Sequence, residues 1–178
     1  MATRLAQEWF TICGGCEVTI LDVGEPLMDV LPLLDIVHMP VLMDHKLYGQ
    51  TGEGQVMDIP EADVGIISGS IRSEEHLHLA REMRRKSKVL VAMGTCACAG
   101  GIPALANLST VKDLCQTVYR ESISTDADGI PDREIPPLTD RVYALTEVVP
   151  VDVLAAALVI AERVGCRKSL FYRNFKHV

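Results

Sequence analysis

A chain of 178 residues, 48% hydrophobic and 23% charged, has the size one core serves and the make-up of a folded rather than disordered protein, so one domain over 1–178 is expected. A formal charge of −7 and a pI near 5.2 leave no basic face for phosphates, and the one dense cationic run, Arg81 to Lys88, is interrupted by Glu82; no nucleic acid partner is expected. No apolar stretch reaches the about eighteen residues a bilayer demands, and the N-terminus, MATRLAQEW, has no apolar leader, so no membrane span and a cytoplasmic location are expected.

Residues 4–12, RLAQEWFTI, predict a strand that runs into Cys13 and Cys16, with Gly14 and Gly15 between them. From Glu17, apolar residues at Ile20, Leu21, Val23, Leu27, Met28, Leu31 and Leu34 recur near helical spacing, which predicts a helix kinked at Gly24 and Pro26. DIVHMPVL, 35–42, predicts a second strand, and the polar stretch 43–60 a loop. ADVGIISGS, 62–70, is a continuous apolar run of the kind buried on both faces of a sheet. Ser73 caps a predicted helix with Glu74 and Glu75 in its first turn and Arg84, Arg85 and Lys86 in its last, matching the helix dipole at both ends. KVLVAMG, 88–94, predicts a fourth strand that delivers a second cysteine motif, TCACAGG, with Cys96 and Cys98. A helix over 110–119, a loop over 122–140, a strand over 146–153 and a helix over 154–164 complete the chain. Strands alternating with helices predict an α/β fold with a doubly wound parallel sheet, whose ligand crevice lies outside the carboxyl ends of the strands; both cysteine motifs fall there.

Six cysteines against 4% aromatics is an informative imbalance, because in a reducing compartment clustered thiols serve metals or redox chemistry rather than disulfides. A two-residue gap lets two thiolates point at one centre, as in iron-sulfur, zinc and dithiol sites. A dithiol needs no distant cysteines, so Cys96 and Cys98 favour a metal centre. Zinc competes, although the glycines at 14, 15, 94, 100 and 101 fit backbone brought close to something bulkier than one ion. Cys98 reads equally as a ligand or as a small buried residue, and Cys115 as a residue on the apolar side of a helix.

WFTICGGCEVTILD, SGSIRSEEH and AMGTCACAGGIPAL, in that order, resemble the small subunit of nickel-iron hydrogenases. The likeness is to the cytosolic cofactor-coupled types, both methyl-viologen-reducing and NAD-reducing, with the cluster-bearing small subunit of respiratory complex I a more distant relative. The resemblance runs over roughly residues 4 to 121. It implies a flavodoxin-like domain binding one proximal four-iron four-sulfur cluster. That domain docks on a large subunit holding nickel and iron and passes electrons to a further subunit carrying flavin or iron-sulfur. By motif, Cys13, Cys16 and Cys96 are the first three cluster ligands. Glu17 matches the acidic residue that the family places near the large subunit's active site, which implies a proton relay; from the residues alone it reads as a first-turn glutamate favoured by the dipole.

The family's fourth ligand sits in a Pro-Gly-Cys-Pro-Pro motif that this chain lacks. TEVVPVDV runs straight into LAAALVIAERV with no turn residue at Val153 and Leu154, as if a loop were missing. The fourth thiolate is then Cys166 ahead of Cys98, or the ligand is not a cysteine, or a segment is absent. Two other readings stay open: a cluster-less scaffold subunit, and a complex I type of carrier, which typically has adjacent cysteines in its first motif. Trp9, Ile12, Ile102 and Leu105 either pack on the partner or fill the core. His76 and His78, two apart on a helix, cannot chelate one metal; His45 reads as a subunit contact or a solvated loop residue.

Overall fold

The computed structural model describes residues 2–40, 59–124 and 137–155. Strand β1 (Thr3–Trp9) leads into helix α1 (Gly15–Leu21), helix α2 (Pro26–Val30), a 3-10 turn (Leu31–Leu33) and strand β2 (Leu34–His38). Strands β3 (Ala62–Ser68) and β4 (Ile71–Ser73) precede helix α3 (Glu74–Lys86), strand β5 (Ser87–Met93) and helix α4 (Gly94–Ala99). A 3-10 stretch (Ile102–Leu108), helix α5 (Val111–Gln116) and a π turn (Thr117–Glu121) follow. Strand β6 (Leu138–Tyr143), helix α6 (Leu145–Val148) and strand β7 (Val153–Ala155) end the described chain.

Five strands form one parallel sheet in the order β2-β1-β3-β5-β7, while β4 and β6 pair antiparallel beside it. Counting the sheet strands alone, this is the flavodoxin-type order, in which the chain winds outward from β1 to one side and then, from β3, to the other. The switch point therefore lies between the carboxyl ends of β1 and β3. Trp9, Ser68 and Met93 stand level there in adjacent strands.

The core forms where α3 lays Leu79, Ala80 and Met83 on the sheet against Ile67, Leu90 and Ala92. Ser73 caps α3 by accepting the His76 backbone N–H at 3.2 Å, as its sequence predicts. Phe10, just past β1, stacks on the His76 ring with centroids 4.9 Å apart. His76 Nδ1 accepts the Arg72 backbone N–H at 3.4 Å, which fixes the neutral tautomer. Burial holds His76 below its ordinary 6.5, partly opposed by Glu75 and Glu8. The unfolded chain thus binds this proton more readily than the folded one, so stability falls as pH drops through and below 6.5. His76→Phe keeps the stack and removes the titration. Urea melts at pH 7 and pH 5 are expected to show a smaller acid loss in the variant than in the parent, and equal losses would refute this.

Four sequence expectations are corrected. The helix from Glu17 is broken into α1 and α2, because Gly24 takes φ +69° and Pro26 starts a fresh turn. Within the expected loop 122–140, Leu138 onward is β6, which escaped notice because its TDR centre is polar. The expected strand 146–153 is instead the single turn of α6, where Glu147 Oε2 accepts the Ala144 N–H at 2.8 Å, followed by Pro150, which lacks the N–H to continue. The expected helix start at Leu154 belongs to β7, so Val153 and Leu154 lie within one strand and no missing turn separates them. Arg84 fixes that strand. Its guanidinium donates to Asp152 Oδ2 (2.5 Å), Pro150 O (3.3 Å) and Ser87 O (2.8 Å), while Asp152 Oδ2 accepts the Leu90 N–H at 2.7 Å. Strand 35–42 shortens to Leu34–His38, and residues 41–58, which hold most of the loop expected over 43–60, the rest of the helix expected over 154–164, His45 and Cys166 lie outside the described residues.

Candidate metal centre

Two loops meet at the carboxyl ends of β1 and β5. The first leaves β1 with Phe10 N–H bonded to Ser68 O and Thr11 paired to Ser70, then turns at Gly14 (φ +84°) into α1, which places Cys13 just before the helix and Cys16 in its first turn. The second leaves β5 at Met93 and enters α4 through Gly94 (φ +80°), which places Cys96 in the first turn of α4. Cys16 Sγ lies 3.9 Å from Met93 O, and a Cβ on Gly94 would collide with that sulfur. A Cβ on Gly101 would stand 2.7 Å from Cys96 Sγ. The glycines are therefore present because thiols approach bare backbone there.

Cys13 stands near enough to Cys96 to act on its thiol, and both stand near enough to Cys16 to act on its own. Cys13 is exposed, Cys16 half-buried and Cys96 buried. Burial, then Glu17 and the neighbouring Cys96, Cys13 and Cys98 thiols, push the Cys16 thiol up to about 11. Burial likewise raises Cys96. Each of the Cys16 effects disfavours a thiolate, and a bound metal assembly, being cationic toward its ligands, reverses them. Three thiols brought together beside glycine-lined backbone supply three of the four soft donors that a four-iron cluster takes. Among the described residues no three His, Cys, Asp or Glu side chains are arranged to hold a single metal ion.

Cys98 points elsewhere: its Sγ–H donates to Ala92 O at 3.4 Å, its thiol is raised by burial, and it packs against the core. Cys115, on α5, is half-buried. Glu17 faces the site with Oε1 accepting the Ser68 hydroxyl, while Oε2 is buried without a hydrogen-bond partner among the described residues. Ile102 and Leu105 are 63% and 64% exposed, so of the two readings offered for them the core reading fails; Trp9 and Ile12 are half-buried.

Sequence reasoning passed over Ser68, Ser70 and the buried pair of Glu8 and His38, whose Oε2 and Nε2 are 2.8 Å apart. The SGS signature marked the end of β3, but a serine's role depends on which carbonyls the fold brings to it, and no spacing rule reports that. An acidic residue inside the apolar run of β1 was the available signal for Glu8.

The model of the family described as NADH ubiquinone oxidoreductase, 20 Kd subunit, matches residues 13–157, from the first cysteine to just beyond β7. This chain belongs to that family. The match continues well past residue 121, where the motifs resembling the family end. Among family relatives, the chain is 42% identical over 141 residues to a subunit of the F420-non-reducing hydrogenase vhu of Methanococcus voltae, covering 79% of this chain and 45% of that protein. It is 36% identical over 164 residues to the iron-sulfur subunit of the F420-non-reducing hydrogenase of Archaeoglobus profundus, covering 85% and 50%. The chain thus spans about half the length of the curated relatives it matches. A chain in the crystal structure of an NAD+-reducing [NiFe]-hydrogenase in the H2-reduced state superposes with a TM-score of 0.77 at 26% identity, covering 94% of both chains.

Proposed function

We propose that this chain is the small, electron-transfer subunit of a nickel-iron hydrogenase, built as one flavodoxin-like domain. Cys13, Cys16 and Cys96 hold one [4Fe-4S] cluster, with Cys166 as the fourth ligand and Cys98 as its alternative. The observation that carries the reading is the meeting of two cysteine loops, eighty residues apart in sequence, at the switch point of a parallel sheet. Bound there, the group supplies one-electron carriage between hydrogen oxidation on a large subunit with a nickel-iron centre and a further subunit bearing flavin or iron-sulfur.

The chain's own residues prepare that site. Gly94 and Gly101 let backbone amides approach the sulfurs, the kind of contact that tunes a cluster's potential. Glu17, its carboxyl oriented by the Ser68 hydroxyl on Oε1 and its Oε2 left without a hydrogen-bond partner among the described residues, relays protons at the mouth shared with the large subunit. Ile102 and Leu105, exposed on the segment after the second cysteine loop, pack against that subunit and keep water from the site. The complex works in the cytoplasm; no helix among the described residues is long and apolar enough to cross a membrane. The gap of Gly14 and Gly15 between the first two cysteines favours this reading over a quinone-feeding carrier of complex I type.

The test is anaerobic co-production with the large subunit, followed by iron analysis and visible spectroscopy. On the order of four irons per chain and a broad absorbance that bleaches with dithionite are expected. A colourless, iron-free chain would sink the proposal and leave the scaffold reading; more than about four irons would reject a single cluster.

A further inference from the structure

Ser70 lies between the two cysteine loops and is fully buried. Its backbone N–H donates to Thr11 O at 2.9 Å and its carbonyl accepts the Thr11 N–H at 3.0 Å, which pairs it with the residue two before Cys13. Its hydroxyl oxygen lies 3.0 Å from Cys96 O and 2.7 Å from Gly100 O, so its one proton is shared between the two carbonyls that bracket the last turn of α4. One residue therefore grips the first loop through its main chain and the second through its side chain. We infer that Ser70 is a positioning residue that sets the spacing of Cys13 and Cys96, and through it how tightly the site holds iron.

This rests on the iron-sulfur reading above for its consequence, but the tie itself does not. The geometry is specific in two ways. The preceding residue, Gly69, takes φ +84°, and a Cβ there would stand 2.6 Å from Ile12 Cγ2 and 2.7 Å from Thr11 O, so the turn that presents Ser70 is pressed directly against the first loop. Both carbonyls held by the hydroxyl have a second partner: Cys96 O accepts the Gly100 N–H at 2.9 Å and Gly100 O accepts the Ala104 N–H at 3.2 Å. Removing the hydroxyl thus leaves no buried oxygen without a bond, and α4 stays folded. What is lost is the lateral link from α4 to the β3–β4 turn, and with it the fixed distance between the loops. Groups that orient ligands without touching the metal typically govern affinity by 10- to 100-fold.

Two variants of the full chain test this, Ser70→Ala and Ser70→Thr. After anaerobic reconstitution with iron and sulfide, Ser70→Ala is expected to release iron to a chelator roughly 10- to 100-fold faster than the parent, with an unchanged thermal midpoint. Ser70→Thr, which keeps the hydroxyl, is expected to restore slow release. A second readout needs no iron. The iron-free chain is oxidised mildly with diamide, and the disulfides are mapped by mass spectrometry. In Ser70→Ala the share linking Cys13 to Cys96 is expected to fall relative to that linking Cys13 to Cys16. Parental release and parental disulfide shares in Ser70→Ala would overturn the inference, as would a Ser70→Thr variant as impaired as the alanine. A parent chain that takes up no iron would sink the iron-sulfur reading alone, because the disulfide shares still decide the tie.

Discussion

Cys96→Ser is expected to abolish stable iron binding while leaving the chain folded. Cys96 is the buried member of the three thiols and is contributed by a different loop from the other two, so without it the first motif has only two ligands on one side of the assembly. Oxygen in place of sulfur keeps the size of the side chain but gives a hard, weakly acidic hydroxyl where a soft thiolate is needed. Loss of a ligand outweighs loss of a group that orients one, so bound iron should fall by more than the about 10- to 100-fold typical of the latter. Cys98→Ser is the informative comparison. Its thiol donates to Ala92 O and packs on the core, and a serine hydroxyl can make the same bond, so near-parental iron is expected. Iron analysis and electron paramagnetic resonance of the dithionite-reduced proteins measure both. Parental iron in Cys96→Ser would remove this residue from the ligand set and the two-loop site with it.

Gly94→Ala is expected to cost both stability and iron. The φ of +80° is one that L side chains occupy at a cost of roughly 1–2 kcal/mol, and the new methyl would be driven into Cys16 Sγ. Escape requires Cys16 to swing away from Met93 or α4 to back away from the sheet, and either change opens the site. For a chain of this size each kcal/mol lowers the melting temperature by about 2–4 °C, so a drop of several degrees should accompany the lost iron. Gly14→Ala separates the two causes. Gly14 has nearly the same φ, +84°, but a Cβ there meets nothing within 4 Å. It should therefore show the backbone penalty alone and keep its iron. Differential scanning calorimetry with iron analysis decides the matter; equal iron loss in both variants would mean that backbone strain, not the approach of sulfur to glycine, explains Gly94.

The parts of the fold that could be read in advance are those where local signals agree. In β3 and β5 the apolar runs stop at glycine because both strands are central and deliver loops at their ends. In α3 the Ser73 cap, the acidic first turn and the basic last turn all point to one helix. Misreadings concentrate after Glu121, where tertiary contacts override local preference. TEVVPVDV is rich in β-branched residues, yet one turn of helix forms at its start because Glu147 bonds back to Ala144 and the chain then has Pro150 to leave by. Strand β7 begins only where Arg84 and Leu90 grip Asp152, contacts more than sixty residues away in sequence. The site divides the same way. The cysteines announced themselves by spacing, whereas Ser70 and Glu17's bond to Ser68 depend on strands being laid side by side. Ile102 and Leu105 looked the same to the sequence whether buried or bare.

The anchoring of β7 by Arg84 also bears on Cys166. In register with β5, Ala155 stands level with Met93, so β7 reaches the rim where the cysteine loops gather. Eleven peptide units separate position 155 from 166, and a chain of that length can span at most about 36–40 Å. Chain length therefore places no obstacle to the proposed fourth ligand, and Arg84, by holding Asp152 against the edge of β5, fixes where that stretch of chain begins.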